Sequence, residues 1–130
     1  MTPERLVHHE LCFGCGRTNL FGLLIDVERT ADGAVRGRGF VKQDHQGAVR
    51  GTAHEGIITA ALSEAMAFAA GSEMRPTAVG IELQQPVPVG TFVEVEARTV
   101  ASSGDAAKTT ATATVEGQQV AVASGTYRHA

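Results

Sequence analysis

The run Gly51 to Ala70, GTAHEGIITAALSEAMAFAA, limits what this chain can fold into more than any other stretch. Between Ile57 and Ala70 the single charged side chain is Glu64, set among Ile, Leu, Met, Phe and six alanines. Alanine and leucine are strong helix formers, and neither Pro nor Gly interrupts the run. A helix apolar on nearly every side has to be enclosed by the rest of its domain. This one is too short to cross a bilayer, which takes about 20 apolar residues. Thr52, His54 and Gly56 stand at its start, where unpaired backbone N–H groups carry partial positive charge. A lone carboxylate two turns into a buried helix, beyond an end that favours anions, is the arrangement to account for.

What surrounds the helix reads as sheet. Leu20 to Arg29 alternates, with Leu23, Ile25 and Val27 on one face and Asp26 and Glu28 on the other. Ala31-Asp-Gly33 is a hairpin signal, and Ala34 to Val41 returns with Arg36 and Arg38 on one face. Gly37 and Gly39 alternate with those arginines and imply a close backbone approach, expected from the helix. A polar loop, Lys42 to Ala53, leads into the helix, which Gly71 and the Arg75-Pro76 step are expected to end. Beyond it Thr77 to Leu83, Thr91 to Val100, Ala106 to Glu116 and Gln118 to Tyr127 read as strands, with a stiff Gln85-Pro-Val-Pro-Val-Gly90 connection. Two strands, one helix, then three or four strands give an α+β domain over residues 1–130, its antiparallel sheet wrapped around the helix.

Charge narrows the function. The balance is 11 − 14 = −3 with no block of like charge, which argues against a nucleic-acid or anionic-membrane surface. The opening MTPERLVHHELC has no long apolar stretch, so a cytoplasmic location is expected. Cys12-Phe-Gly-Cys15 can be half a zinc site, a redox pair, or two small residues packed at a turn. Packing is the expectation. Zinc needs four ligands, there is no second C-x-x-C, and His8 or His9 would serve only if the chain folded tightly back on itself.

Three segments together resemble the hotdog-fold thioesterases of the phenylacetate-pathway (PaaI-like) type. CFGCGRTNLFGLLIDV is similar to that family's opening C-x-x-C-G-x-x-N-x-x-G-L; DHQGAVRGTAHEGIITAALSEAM to its H-Q-G loop, H-G-G turn and helix; IELQQPVPVGTFVEVEARTV to its sheet segment around a P-V-x-x-G turn. The resemblance implies a curved antiparallel sheet around one central helix. It also implies subunits that pair as a homodimer, or a dimer of dimers, with sites at their interface. The activity implied is hydrolysis of an acyl-CoA or acyl-carrier thioester, with coenzyme A as part of the substrate, no separate cofactor and no metal. Two positions depart from the family pattern: Glu55 replaces the first glycine of H-G-G, and Ser63 stands where the family's catalytic carboxylate usually lies.

Thioester hydrolysis needs an activated water and stabilisation of the oxyanion. Helix N-terminal N–H groups supply the second, and by resemblance the donor is that of Glu55 or Gly56. Glu64, the one ionisable group on the helix, is the candidate base, read equally well as an interface ion-pair carboxylate. It is expected on the Ile57, Ala61, Phe68 face, turned toward the same pocket as the helix start. Ser63, on the Thr59 and Ala60 face, reads better as a side chain bonded to the preceding turn than as a nucleophile. His54 shapes the helix entry or shuttles a proton. His45, Gln46 and Gly47 contact substrate by resemblance, or simply build their loop. Two other readings remain: a hotdog protein that binds an acyl or aromatic ligand without hydrolysis, and a hotdog dehydratase or hydratase.

Overall fold

The computed structural model describes residues 4–71 and 73–129. Its strands are β1 (Glu4–Leu6), β2 (Asp26–Arg29), β3 (Val35–Phe40), β4 (Met74–Leu83), β5 (Phe92–Ser103), β6 (Ala106–Val115) and β7 (Gln118–His129); its helix is α1 (Glu55–Ala70). The strands form one antiparallel sheet in the order β1-β2-β3-β5-β6-β7-β4, and α1 packs on its curved inner face. This is the hotdog fold. Among the described residues no helix is long and apolar enough to cross a membrane.

Side-chain size explains how the helix fits inside the curve. The inner face of the sheet is built largely of small residues, with Ala97, Ala107, Ala111, Ala113 and Ala121 all buried. Against them α1 turns Ile58, Leu62 and Met66. Leu62 and Met66 are fully enclosed, and burial of each contributes about 1.5–3 kcal/mol. The other side of α1, including Thr59, Ala60 and Ser63, is only half-buried. The His54 imidazole caps the helix by accepting the Gly56 N–H at 2.8 Å. At the far end Gly71 takes φ +143°, a conformation that suits glycine, and its N–H closes on the Ala67 carbonyl. Arg29 and Thr99 donate to the Phe68 and Ala69 carbonyls, so the last turn is satisfied by side chains of the sheet.

Several sequence expectations need correction. Gly37 and Gly39 do face a close neighbour, but it is Ile25, with Val95 also against Gly37, and not the helix. The Leu20–Ile25 part of the expected first strand is irregular, because Leu24 adopts φ +50° and the chain turns to run under β3. Pro76 lies within β4 instead of merely ending the helix. The strand tolerates it at the sheet edge, where a register shift falls between Pro76 and Ala78. A short strand, β1, precedes all those expected and pairs with β2.

The sheet is open at the β4 edge. β4 pairs with β7 on one side, and on the other it has no partner among the described residues. Its side chains from Arg75 to Gly80 are exposed, as is Leu83. A ten-residue unprotected edge is a ready template for another strand.

Candidate active site

The N-terminal segment folds back over α1 and meets its single mid-helix charge. Its turn is compact: the Cys12 carbonyl accepts the Gly16 N–H at 2.8 Å, and Asn19 bridges the Leu11 carbonyl and the Phe21 N–H. Glycine at position 14 leaves the space that the Glu64 carboxyl fills, since a Cβ there would sit 2.5 Å from the Glu64 carboxyl carbon and displace it. Glu64 leaves the helix on the side of Phe68, whose ring stacks on His8 with centroids 3.9 Å apart and planes 8° from parallel. That stacking holds His8 so that Nδ1 lies 2.9 Å from Glu64 Oε2. Cys12 Sγ is 3.4 Å from the same oxygen, and Cys15 Sγ is 3.6 Å from His8 Nδ1.

The electrostatics follow from enclosure and these contacts. The Glu64 side chain is 10% exposed and that of His8 22%. Burial alone would push the Glu64 carboxyl up, but hydrogen bonds from His8 and both thiols outweigh it and hold the group below the ordinary carboxylate range. The hydrogen bond to Glu64 raises His8 above an ordinary imidazole, against its own burial. Burial, with the Glu64 carboxylate beside it, drives the Cys15 thiol far up. Both shifts favour the carboxylate form of Glu64 paired with the imidazolium form of His8, and Cys15 is held as a thiol. His8, Cys12 and Glu64 line an open cleft of about 870 Å³ together with Met74, Arg75 and Pro76 at the start of β4.

Ser63 borders this cleft but is committed elsewhere. The buried Tyr127 hydroxyl donates to the Ser63 carbonyl at 2.9 Å. Its proton being used there, the 2.9 Å contact between the two hydroxyls has Ser63 as donor. A serine giving its proton to a phenol, and hydrogen-bonded to no base among the described residues, has no activation as a nucleophile.

The helix start lies apart. Nine residues separate Glu55 from Glu64, about 13 Å along the axis at 1.5 Å per residue. Glu55 lines a different, smaller groove of about 220 Å³ with Leu83, Gln85 and Val87, at the end of β4. Within one chain, then, the helix start and its acid do not share a pocket. Of the two N–H donors expected there, that of Gly56 is taken by His54 Nδ1. The Glu55 N–H has no acceptor among the described residues. The Glu55 side chain is exposed, with its carboxylate 3.5 Å from His54 Nε2.

The loop before the helix is engaged with itself. His45 is buried, its Nδ1 accepts the Lys42 N–H, and its carbonyl accepts that of His54, which fixes the approach to α1. Gln46 accepts from the Gly51 N–H and donates to the Gln43 carbonyl. Gly47 lies against His54, where a Cβ would come within 2.8 Å of the His54 Cα. The structure thus joins Glu64 to His8, Cys12 and Cys15, joins Ser63 to Tyr127, and groups His45, Gln46, Gly47 and His54 as the frame of the helix start. Sequence reasoning missed His8 and Tyr127 as partners. The H-x3-C-x2-C spacing signals the first, whereas nothing local signals the second.

Compared by sequence, the chain matches no protein-family model and no curated protein. Solved structures are similar. A thioesterase superfamily protein matches with a TM-score of 0.83 at 19% identity over 92% of this chain, which spans 60% of that protein's length. A mutant of the phenylacetic acid degradation protein PaaI from Thermus thermophilus matches at 0.74 and 28% identity, over 82% of this chain and 93% of that one. A Streptococcus mutans protein bound to acetyl CoA matches at 0.73 and 18% identity, over 82% and 88%. By fold, this chain is a hotdog protein like those of the thioesterase superfamily and the PaaI phenylacetic acid degradation proteins.

Proposed function

We propose that the protein hydrolyses an acyl-CoA or acyl-carrier thioester in a cleft completed by a second copy of the chain. The observation that carries this reading is the position of two half-sites at opposite ends of β4. The Glu64 cleft adjoins Met74, Arg75 and Pro76, where the strand begins. The groove at the helix start adjoins Leu83, where it ends. Two β4 edges pairing antiparallel about a two-fold axis set the beginning of one strand against the end of the other. Each Glu64 cleft then faces the helix start of the second copy, a juxtaposition that one chain cannot make across about 13 Å.

The chemistry divides between the copies. The Glu55 N–H of one, reinforced by the helix dipole, holds the thioester carbonyl oxygen as it gains negative charge. The Glu64 carboxylate of the other takes a proton from water, which attacks the carbonyl carbon. The C–S bond breaks, and the His8 imidazolium beside Glu64 is placed to protonate the departing thiolate. The acyl-CoA class is supported by the similar fold of the protein bound to acetyl CoA. A second reading, ligand binding without hydrolysis, is favoured by one observation: the position where the family carries its carboxylate is a serine whose proton is held by Tyr127.

The test is thiol release from a panel of short-chain, aryl and long-chain acyl-CoAs, with Glu64→Gln in parallel. Hydrolysis by the wild type and a loss of about 100-fold or more in the variant are expected. Release unchanged in Glu64→Gln refutes its role as base. Ligand binding with no release across the panel selects the second reading.

A further inference from the structure

We propose that His8, Cys12, Cys15 and Glu64 form a tetrahedral site for a zinc ion. One ligand atom from each of these four side chains lies within 4.8 Å of all the others. Two sulfurs, an imidazole nitrogen and a carboxylate oxygen are a donor set suited to zinc, and four protein ligands close its coordination shell.

The separations are those of a site close to assembled. A tetrahedron with zinc bonds of about 2.0–2.3 Å has edges of about 3.3–3.8 Å. His8 Nδ1 lies 3.7 Å from Cys12 Sγ and 3.6 Å from Cys15 Sγ, and Cys12 Sγ lies 3.4 Å from Glu64 Oε2. The His8–Glu64 edge, a hydrogen bond at 2.9 Å, is shorter and opens by about half an ångström once both atoms turn to a metal. The surroundings already orient the ligands. Phe68 fixes the plane of His8, the His8 backbone N–H donates to Cys15 Sγ at 3.2 Å, and the Cα hydrogens of Gly14 leave room for Glu64. The C-x-x-C turn supplies half of the site. The fold supplies the rest, by laying a histidine four residues upstream against a helix some fifty residues downstream.

Binding stands on this geometry alone, whereas its consequence for catalysis rests on the reading of Glu64 as the base. A carboxylate bound to zinc cannot also take a proton from water. Occupancy therefore switches hydrolysis off, and chelation restores it.

The experiment measures zinc per chain by elemental analysis, after reduction, addition of zinc and dialysis of the excess. Cobalt(II) serves in parallel as a coloured substitute. One zinc per chain is expected, together with sulfur-to-cobalt charge-transfer absorption and the strong visible bands of tetrahedral cobalt. Both signals should fall by at least tenfold in Cys15→Ser and in Glu64→Gln. Wild-type protein that retains no zinc, or cobalt bound without thiolate absorption, overturns the site whether or not the protein is an enzyme. Zinc bound stoichiometrically while acyl-CoA hydrolysis continues unchanged keeps the site and overturns Glu64 as the base.

Discussion

Replacing Tyr127 with Phe tests how the sheet is tied to the helix next to the cleft. Tyr127 is fully buried, and its hydroxyl donates to the Ser63 carbonyl while accepting the Ser63 hydroxyl proton. Each such bond contributes about 0.5–1.5 kcal/mol net, so the substitution should cost about 2 kcal/mol. At about 2.1 cal/mol/K per residue for the unfolding entropy, 130 residues lose about 7 °C in Tm for that amount. Ser63→Ala should cost about 1 kcal/mol by itself. In the Tyr127→Phe background it should cost nearly nothing, because the shared bond is already gone, giving a coupling of about 1 kcal/mol. The assay is urea unfolding of the four proteins followed by circular dichroism. Under the proposed function, Ser63→Ala should also release thiol from acyl-CoA at the wild-type rate. Additive costs would refute the hydrogen-bond assignment, and loss of activity in Ser63→Ala would refute the structural role given to that serine.

Other consequences are as direct. Gly14→Ala puts a methyl where the Glu64 carboxyl lies, so the carboxylate must swing away from His8; by NMR titration the His8 pKa should fall toward that of an ordinary imidazole. Val79→Lys charges the middle of the free β4 edge; sedimentation should find a dimer for the wild type, as the proposed edge pairing requires, and a monomer for the variant. Burial, aided by the nearby Lys42 charge, holds His45 below its ordinary pKa. The folded state therefore disfavours the proton, and the stability contributed by neutral His45 is complete above about pH 6.5 and is lost as pH falls toward the depressed value. His45→Asn, which keeps an acceptor for the Lys42 N–H, should flatten stability measured across that interval.

Much of the fold is legible in local pattern. The Ile57–Ala70 run predicts a buried helix because a single charge interrupts it, and α1 spans Glu55–Ala70. The later strands follow from alternation between turns, and β5, β6 and β7 lie where it places them. What local pattern misses is decided by distant contacts. β1 has three residues and takes its conformation from pairing with β2. The glycines of β3 signal a close approach without saying that Ile25 makes it. The site divides in the same way. Glu64 stands out as a lone acid, and its place on the Phe68 side follows from helical spacing. Its partners are more than forty-five positions away, and although the H-x3-C-x2-C spacing groups them with one another, no spacing rule ties that group to Glu64. The C-x-x-C turn reads as packing for that reason, since half of the donor set appears only after the N-terminal segment has folded onto α1. The Ser63–Tyr127 pair joins a helix to the last strand and leaves no local trace.

The central claim is a site shared between two copies, and mixing two inactive variants tests it most directly. Glu55→Pro removes the oxyanion N–H while leaving the helix intact, because proline suits the first helical position and His54, at φ −60° and ψ 139°, is already extended as a residue before proline must be. Glu64→Gln removes the base. Each variant alone should fail to release thiol from acyl-CoA. When equal amounts are unfolded and refolded together, half of the dimers are mixed and each mixed dimer carries one intact site, so activity should return to about a quarter of wild type. A mixture that forms mixed dimers yet stays as inactive as its parents would contradict the shared site.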